Sequence, residues 1–462
     1  MARSEALRKT VAHALVRAAS SLYSTPLRAG GPGAGKSADA ARTNACATSA
    51  VTRIAFLLLA GANTAFSAVY YVNSYNGADS NTGLSPSAAW LTLGRVRQSR
   101  LFAGDYVLLV RGGVWYEQLA VNASGADGAP VTFAAYGPGT AMPVIDGATV
   151  NVPQQSALVT VSGRSWVTFD GLEIRNSMRD GFMAYGAANV ALRNCAVHGH
   201  QYNGVIVFDS SGITVGNCEL YGNSLNTSAS YAGITIDGDN NTPAGFGIFG
   251  NRIHDNVGGQ GWNGANGICL GHTGGNIPTL SGIEIRGNQI YDNGNPSQNQ
   301  AGRGISGSFN GDVTIVDNTV YRNASAGIYL GDVGLSPAID IAQNVFYDNA
   351  LRQFGGYTTA SAMASRNLLL VDDPTITAMG AEIGGLGPWT LEQNTFIYTT
   401  STTDPYRGFI RINNPEQDAL LLSNYNTFYS AGPNRWIDSS GVILTFAQWQ
   451  AAGYDANSAN PR

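Results

Sequence analysis

Charged and titratable side chains suited to chemistry gather in the middle of the chain. Asp209, Asp237 and Asp239 offer carboxylate oxygens, which are ligands that Ca²⁺ prefers. His272 and Arg303 follow them, and each can act as a base or as a cation beside developing negative charge. This combination suits removal of a proton beside a sugar carboxylate, followed by loss of a glycosidic oxygen. We therefore predict catalytic roles for Arg303, His272, Asp237 and Asp239, and a calcium site formed by Asp209, Asp237 and Asp239.

Other chemistries stay open for the same residues. A glycosidase needs one carboxyl group as an acid and a second as a base or nucleophile, and Asp209, Asp237 and Asp239 provide such pairs. A uronan C5-epimerase also fits, because it shares the proton abstraction of an elimination. A surface protein that binds carbohydrate without catalysis needs only exposed aromatic side chains.

Alternating side chains predict which residues face a substrate. In GITID (233–237), Ile234 and Ile236 point inward, so Thr235 and Asp237 point outward. The same alternation turns further residues outward in the neighbouring repeats: Met183, Tyr185, Ile206, Phe208, Cys269, Ser306, Ser308 and Tyr329. Flat rings on one face can stack on sugars. The predicted substrate-binding residues are Asp180, Tyr185, Phe208, Trp262, Tyr329 and Asp332.

A repeat between Ile174 and Phe428 must position these residues. Its best copies are LRNCAVHGH (192–200), VGNCELYGN (215–223), IFGNRIHDN (248–256), IRGNQIYDN (285–293), IVDNTVYRN (315–323) and IAQNVFYDN (341–349). The apolar anchors are Ile174, Val197, Leu220, Ile253, Ile290, Val320, Phe346, Leu369, Phe396 and Phe428, with spacings of 23, 23, 33, 37, 30, 26, 23, 27 and 32 residues. A period of this length indicates a solenoid, propeller or array.

Short alternating runs between the anchors, such as GVIVF, GICLG and GIYLG, predict strands rather than helices. Short strands with Gly and Asn turns at this period indicate a parallel β-helix, an all-β solenoid of about ten or more coils. Asn251, Asn288, Asn318 and Asn344 share one turn position and should form an amide ladder, with Cys195 and Cys218 at the same position. We read His198 and His254 as structural, because they alternate with tyrosines at one position.

The spacings of 33, 37 and 30 residues are consecutive, so their added residues lie on neighbouring coils. The additions fall within 221–247, 255–282 and 292–312. Long loops on a rigid scaffold commonly carry function. We therefore expect these loops to flank the sheet that bears the candidate residues and to form the walls of a cleft.

Three segments resemble a known group of proteins. The segments YYVNSYNGADSNTGLSPSAAWLTL (70–93) and GDYVLLVRGGVWYEQL (104–119) resemble the opening of pectate-lyase-like secreted proteins, and TFAQWQAAGYDANS (445–458) resembles a common ending of such chains. The resemblance covers roughly 69–462 and implies a single-stranded right-handed parallel β-helix of the superfamily that includes polysaccharide lyases.

The resemblance implies a base that is Lys or Arg. Residues 69–462 contain no Lys, because Lys9 and Lys36 both precede them, so the lysine-dependent arrangement of the pectate lyases does not carry over. Either Arg303 or His272 could act as the base. The motifs of polygalacturonase-type β-helix hydrolases occur only as the fragments RDGF (179–182) and GH (271–272).

The chain is predicted to begin with segments outside the solenoid. Residues 51–68 have a basic residue, an apolar run and a small-residue exit typical of a secretory signal, and 1–50 are read as a mis-annotated or disordered leader. We expect 69–165 to form the N-terminal cap and first coils, 166–430 the regular coils and 431–462 the C-terminal cap, with a short helix in LTFAQWQAAG. A secreted protein, extracellular or periplasmic, follows from this reading.

The net charge of the chain indicates which classes of binding partner are disfavoured. Residues 69–462 hold 18 Arg and 29 Asp plus Glu, a net charge of −11. Such a surface disfavours nucleic acid and anionic membranes. Cys195, Cys218 and Cys269 are too few for a disulfide scaffold, although a bond between the first two stays open after export. The favoured prediction is a monomeric, secreted polysaccharide-active enzyme without a membrane span, most simply a uronate lyase.

Overall fold

Strands wound into successive coils form the described part of the protein, which we analyse as a computed structural model. The structure describes residues 67–228, 231–238, 244–258, 264–271, 277–295, 302–333, 338–401, 404 and 407–460. Three predicted site residues, Asp239, Trp262 and His272, lie outside the described residues, as does the predicted leader and most of the signal segment. Asp332 belongs to a described strand, but its side chain is not described.

Three sheets of parallel strands run the length of the described chain, and we name them A, B and C. Sheet A contains the strands Val69–Val72, Tyr106–Val110, Val131–Tyr136, Ser165–Asp170, Ala188–Arg193, Thr214–Gly216, Ala244–Phe249, Ser281–Arg286, Val313–Val316, Ile339–Ala342, Ala362–Ser365, Trp389–Glu392 and Leu422–Asn424.

Sheet B consists of shorter strands. They are Val114–Trp115, Val144–Asp146, Glu173–Arg175, Ala196–His198, Glu219–Tyr221, Arg252–His254, Gln289–Tyr291, Thr319–Tyr321, Val345–Tyr347, Leu368–Val371, Thr395–Tyr398 and Thr427–Ser430.

Sheet C carries most of the candidate residues. Its strands are Leu119–Val121, Ala157–Ser162, Asp180–Tyr185, Val205–Phe208, Ala232–Asp237, Asn266–Leu270, Ile305–Gly307, Ala326–Val333, Arg352–Thr358, Met379–Gly385, Ile410–Ile412, Trp436–Ile437 and Ile443–Leu444. The last strand pairs antiparallel with its neighbour, whereas the strands before it pair in parallel. Each coil passes through sheets A, B and C in that order, so the predicted parallel β-helix is confirmed.

The ten predicted anchors form a single row in sheet B. Val197 pairs with Ile174 and Leu220, and the same register continues through successive strands to Phe396 and Phe428. All ten side chains are fully buried. Burial of one such side chain stabilises a fold by about 1.5–3 kcal/mol. The sequence period therefore arises because one inward position per coil must be filled by an apolar side chain.

The predicted amide ladder occupies the corner between sheets A and B. Asn318 shows the arrangement: its Oδ1 accepts from the backbone N of Asn288 at 2.9 Å, and its Nδ2 donates to Oδ1 of Asn344 at 3.0 Å. Cys195 and Cys218 occupy the same position, as predicted, and the backbone N of Cys195 approaches Sγ of Cys218 at 3.4 Å. Both thiols are buried and neither forms a disulfide.

A second ladder, which we did not predict, occupies the corner between sheets B and C. It comprises Asn223, Asn256, Asn293, Asn323 and Asn349, with Nδ2 of Asn293 donating to Oδ1 of Asn323 at 2.9 Å. Glycines begin the following strands because a side chain would collide with this ladder. A Cβ on Gly233, for example, would lie 2.9 Å from Nδ2 of Asn256 and 2.8 Å from the carbonyl oxygen of Gly267.

His200 continues the second ladder at its N-terminal end. It is fully buried, its Nδ1 accepts from the backbone N of Ser177 at 3.0 Å, and its Nε2 donates to the carbonyl oxygen of Ile174 at 3.1 Å. Burial lowers the pKa of His200 to about 3, so this imidazole is neutral. Its role is structural.

Aromatic rings stack on the outer side of sheet B. His198, Tyr221, His254, Tyr291, Tyr321 and Tyr347 form this column, with successive ring centroids 4.3–5.4 Å apart. The rings cover one another's faces, and Glu173 and Glu219 pair with the two histidines. These contacts fit the structural role predicted for His198 and His254.

Short helices lie near both ends of the described chain. A short 3₁₀ helix, Pro86–Ala88, and the helix Leu93–Gln98 precede the first complete coil, and Oγ1 of Thr92 caps the latter. The helices Gln417–Leu420 and Phe446–Ala451 lie near the other end, the second opening with a capping box between Thr445 and Gln448. This second helix is the one predicted in the C-terminal segment. None of the described helices is long and apolar enough to cross a membrane.

Candidate functional site

The outer face of sheet C lies between two series of connections. The chain enters each strand from sheet B and leaves it toward sheet A. The three long spacings fall in these connections, for example between Tyr291 and Ile305. Long connections on consecutive coils therefore flank sheet C as predicted, although parts of them lie outside the described residues.

Polar side chains at the starts of the strands form a hydrogen-bonded row. Oδ1 of Asp180 accepts from the backbone N and from Nδ2 of Asn203, at 2.9 and 2.8 Å. Oδ1 of Asn203 then accepts from Oγ1 of Thr235 at 2.7 Å. Farther along, Oδ1 of Asn266 accepts from the backbone N of Arg303 at 2.8 Å. The parallel register thus places Asp180, Asn203, Asn266 and Arg303 along one edge.

Burial changes the chemistry of Asp180. Its carboxyl group is largely removed from water, and burial raises its pKa to about 6 although Asn203 hydrogen bonds oppose that shift. Part of the Asp180 population is therefore protonated near neutral pH. We predicted a substrate-binding role for Asp180, and its described hydrogen bonds go to Asn203.

Two arginines, a tyrosine and a glutamate form a cluster near the centre of the face, which we name the Arg303 cluster: Arg303, Tyr329, Arg352 and Glu382. The guanidinium carbons of Arg303 and Arg352 lie 5.0 and 4.8 Å from the centroid of the Tyr329 ring. Nε of Arg352 forms an ion pair with Glu382 Oε2 at 3.0 Å. The cluster arises because four successive strands, from Ile305–Gly307 to Met379–Gly385, bring these positions together.

The absence of a side chain at Gly355 leaves room for the Arg303 cluster. Gly355 is the direct partner of both Tyr329 and Glu382 in the register, so no side chain separates them. A Cβ at Gly355 would lie 2.0 Å from the carbonyl oxygen of Glu382, which rules out any larger residue without a backbone shift. The positive charges of Arg303 and Arg352 thereby share one small region with the Glu382 carboxylate.

Burial and neighbouring charges shift the pKa values of two residues of the Arg303 cluster. Burial, with the nearby charge of Arg352, lowers the pKa of Arg303 to about 10. Burial also raises the pKa of Tyr329, against the opposing effect of the two arginines, so its phenol is neutral at physiological pH. An arginine with a lowered pKa beside a neutral phenol and a second cation is suited to proton transfer next to negative charge.

Several side chains predicted to be exposed are buried. Tyr329 faces away from the core as expected but is only 7% exposed, because the two guanidinium groups cover its ring. Met183, Cys269, Ser306 and Ser308 also face outward and are buried. Strands of neighbouring coils lie only about 4.8 Å apart, so long side chains on one coil cover short ones on the next.

Tyr185 and Phe208 form an aromatic pair at the N-terminal end of the face. Tyr185 is 48% exposed and Phe208 is half-buried, and their ring centroids lie 5.7 Å apart with an interplanar angle of 14°. One face of each ring is therefore turned toward the other. Ser162, a small residue, is the partner of Tyr185 on the preceding coil, so the other face of that ring adjoins little side-chain bulk.

Asp209 and Asp237 lie side by side at the ends of adjacent strands. Phe208 is the register partner of Asp237, and the backbone N of Asp209 donates to the carbonyl oxygen of Asp237 at 3.2 Å. The structure thus places the backbones of two of the three predicted calcium ligands on neighbouring coils. Among the described residues, no group of three His, Cys, Asp or Glu side chains could hold a metal ion.

Sequence reasoning missed Arg352 and Glu382. Arg352 begins a strand and is the register partner of Ala326. Ala326 continues the row of strand-start positions that includes Asn266 and Arg303. Arg352 could have been predicted by taking the residue one repeat after Ala326 in this row. The segment LRQFGGY lacks the Asn and Gly pattern of earlier copies, which is why the repeat did not reveal it.

Comparison with known proteins agrees with this architecture. The family described as "Right handed beta helix region" matches residues 143–277 and 226–398, which together span more than half of the chain. The chain belongs to the right-handed β-helix family. The uncharacterized protein YwoF of Bacillus subtilis (strain 168) is 27% identical to this β-helix over 371 residues, covering 68% of this chain and 77% of YwoF.

Solved structures resemble the β-helix in fold. Pectate lyase Pel9A has a TM-score of 0.51 and 19% identity, covering 65% of this chain and 78% of its own. PfbA, a surface adhesin of Streptococcus pneumoniae, has a TM-score of 0.52 and 12% identity, covering 78% of this chain and 92% of its own. A lyase and an adhesin thus share this β-helix architecture, so function must be argued from side chains.

Proposed function

We propose that this β-helix protein is a polysaccharide lyase that cleaves a uronate-containing polysaccharide by β-elimination at the outer face of sheet C. The observation that carries the proposal is the Arg303 cluster, in which an arginine with a pKa of about 10 lies beside a neutral tyrosine and a second arginine. The fold similarity to pectate lyase Pel9A is consistent with it but does not decide the reaction.

Three residues of the Arg303 cluster have separate roles in the proposed reaction. Arg352 binds the uronate carboxylate and stabilises the enediolate that forms when the adjacent C5–H bond breaks. Neutral Arg303 takes the C5 proton. The electron pair then forms the C4–C5 double bond while the C4–O bond breaks, and the Tyr329 hydroxyl donates a proton to the leaving oxygen. Arg303 is 2% exposed, so substrate contact requires that the groups covering it move.

The rate of this reaction should rise with pH. Only the neutral form of Arg303 accepts a proton, and below its pKa of about 10 that form increases tenfold per pH unit. We expect kcat/KM to rise up to about pH 10 and then level off. Replacing Arg352 by Gln removes a charge that lowers the Arg303 pKa, so the pH profile of that variant should shift to higher pH. An acidic optimum would contradict the role of Arg303.

Calcium is a separate proposal. Asp209 and Asp237 would supply two oxygen ligands, and a complete shell would need further donors such as Asp239. When bound, Ca²⁺ would neutralise a substrate carboxylate. The two described donors are too few to form a shell by themselves, so the steps above use none of them. Loss of activity on chelation, restored by added Ca²⁺, would support the ion.

A glycoside hydrolase is the second candidate function. Asp209 and Asp237 stand on neighbouring coils, where the backbone N of Asp209 donates to the carbonyl oxygen of Asp237, and they would supply the two carboxyl groups that such an enzyme needs. In this case Asp237→Asn would be inactive while Arg303→Gln would keep activity. An epimerase would use the same Arg303 chemistry but would return a proton to C5 instead of cleaving the chain.

A panel of polysaccharides tests these functions together. The purified protein is incubated with pectate, alginate and neutral xylan, with and without EDTA. Ultraviolet absorbance of the unsaturated uronate and new reducing ends are followed in parallel. Absorbance on an acidic polymer supports the lyase, and reducing ends without absorbance would assign the protein to the hydrolases. Proton NMR of the polymers identifies epimerisation, and binding without any product would indicate a non-catalytic protein.

A further inference from the structure

A second surface feature lies apart from the Arg303 cluster, at the corner between sheets B and C in the first coils. It is a groove of about 560 Å³, which we name the Arg179 groove. Its lining includes Thr149, Asn151, Arg179, Gln201, Tyr202 and Asn226. The volume falls within the range of about 300–1,000 Å³ that is typical of ligand pockets.

Hydrogen bonds between successive coils hold the groove in place. The backbone N of Gln201 donates to the carbonyl oxygen of Ser177 at 2.9 Å, and the backbone N of Asn226 donates to that of Gln201 at 2.8 Å. The side of the groove that contains Gln201 and Asn226 is thus an extension of the solenoid rather than an isolated loop. A site built this way needs little ordering when it binds a ligand, which favours affinity.

Tyr202, which stacks on Tyr231, contacts Arg179 in the groove. Nη1 of Arg179 donates to Oη of Tyr202 at 2.9 Å, and the Arg179 guanidinium carbon lies 5.1 Å from the centroid of that ring. The opposite face of Tyr202 stacks on Tyr231, with centroids 4.3 Å apart and an interplanar angle of 10°. Among the described residues, Arg179 forms no ion pair with a carboxylate, and no hydrogen bond from its Nε or Nη2 is found.

The chemistry of the lining selects the ligand. Among the described residues that line the groove there is one cation and no carboxylate, although residues 69–462 carry a net charge of −11. Asp146, at the start of one wall, is already paired with Arg175 at 2.7 Å. Thr149, Asn151, Gln201 and Asn226 add hydroxyl and amide groups that can both donate and accept, as sugar hydroxyls require.

We propose that the Arg179 groove is a remote binding subsite for an acidic oligosaccharide, with the Arg179 guanidinium pairing with a uronate carboxylate. Asp180, the residue after Arg179, begins a strand of sheet C. The strand that begins just after Arg303 lies four coils farther on, a distance of about 19 Å along the solenoid. One polysaccharide chain lying along the axis can therefore contact both places. The uronate substrate rests on the proposed function, but binding in the groove can be measured without turnover.

Calorimetric titration of the full-length protein tests the subsite. The probes are an oligogalacturonate and a neutral xylo-oligosaccharide of equal length, and the variants are Arg179→Gln and Arg164→Gln. Arg164 is an exposed arginine outside the groove lining and serves as the matched control. We expect Arg179→Gln to weaken oligogalacturonate binding about tenfold, Arg164→Gln to leave it unchanged, and the neutral probe to bind far more weakly.

Kinetics give an independent readout. Arg179→Gln should raise KM for long polymer with kcat unchanged, and it should leave turnover of oligosaccharides too short to span both places unaltered. The proposal is overturned if Arg179→Gln binds like the native protein, if Arg164→Gln loses as much, if both probes bind equally, or if the native protein binds neither. Loss of the lyase proposal would appear differently, as oligogalacturonate binding dependent on Arg179 without any unsaturated product.

Discussion

Arg303→Gln is expected to lower kcat on the acidic polysaccharide by about a hundred- to ten-thousand-fold, which is the usual contribution of a general base. Glutamine keeps hydrogen-bonding capacity but cannot take up the C5 proton. Arg303→Lys should recover part of the lost rate, because a buried lysine has a lowered pKa and can also act as a base. Initial rates of unsaturated product formation measure both variants.

Arg366→Gln is the matched control for this substitution. Arg366 is exposed at the turn after sheet A, and glutamine already occupies the equivalent turn at Gln343 and Gln393, so the fold should tolerate the change. Its activity should equal that of the native protein. Full activity in a folded Arg303→Gln protein would remove Arg303 from the mechanism and would favour the paired aspartates.

Asn318→Leu should reduce the free energy of unfolding by about 3–5 kcal/mol, among the larger effects of a single substitution. Asn318 is buried within the first ladder, where its Oδ1 accepts two hydrogen bonds from Asn288. Its Nδ2 donates to the carbonyl oxygens of Ile285 and Val316 and to Asn344. Leucine fills similar volume but leaves all these buried groups without that partner.

Denaturant unfolding measures this loss against two further variants. Gln289→Ala changes an exposed side chain on the neighbouring coil and should alter stability by no more than about 0.5 kcal/mol. Asn318→Cys introduces the residue that stands at this position in Cys195 and Cys218, and it should have an intermediate effect, since sulfur is a weaker acceptor. Equal stability of Asn318→Leu and Gln289→Ala would mean that the ladder does not stabilise the coils.

The register of the solenoid could be predicted because it depends on local spacing. Each coil has one apolar anchor in sheet B and one small polar residue at the following corner, so both residue types recur along the sequence. Ile253 and Ile290 are therefore aligned although 37 residues separate them, since the extra residues extend outward without shifting the register. The role of His200 was not predicted because histidine takes the place of asparagine at this ladder position and forms equivalent hydrogen bonds.

The candidate site was less predictable because exposure depends on side chains from neighbouring coils. Alternation correctly gave the direction in which Tyr329 points, but it carries no information about the guanidinium groups that cover it. Arg303 was identified from its type and position, whereas its lowered pKa depends on Arg352 on another coil. The roles of Asp239, Trp262, His272 and Asp332 remain predictions from the sequence.

The mass of the products tests the central claim most directly. The purified protein is incubated with an oligogalacturonate or an alginate oligosaccharide of defined length, and the fragments are analysed by mass spectrometry. β-Elimination at the Arg303 cluster predicts that each cut gives one fragment lighter by one water than its hydrolytic counterpart, and that Arg303→Gln does not form it. Fragments carrying the full mass of hydrolysis products, formed equally by Arg303→Gln, would contradict the account.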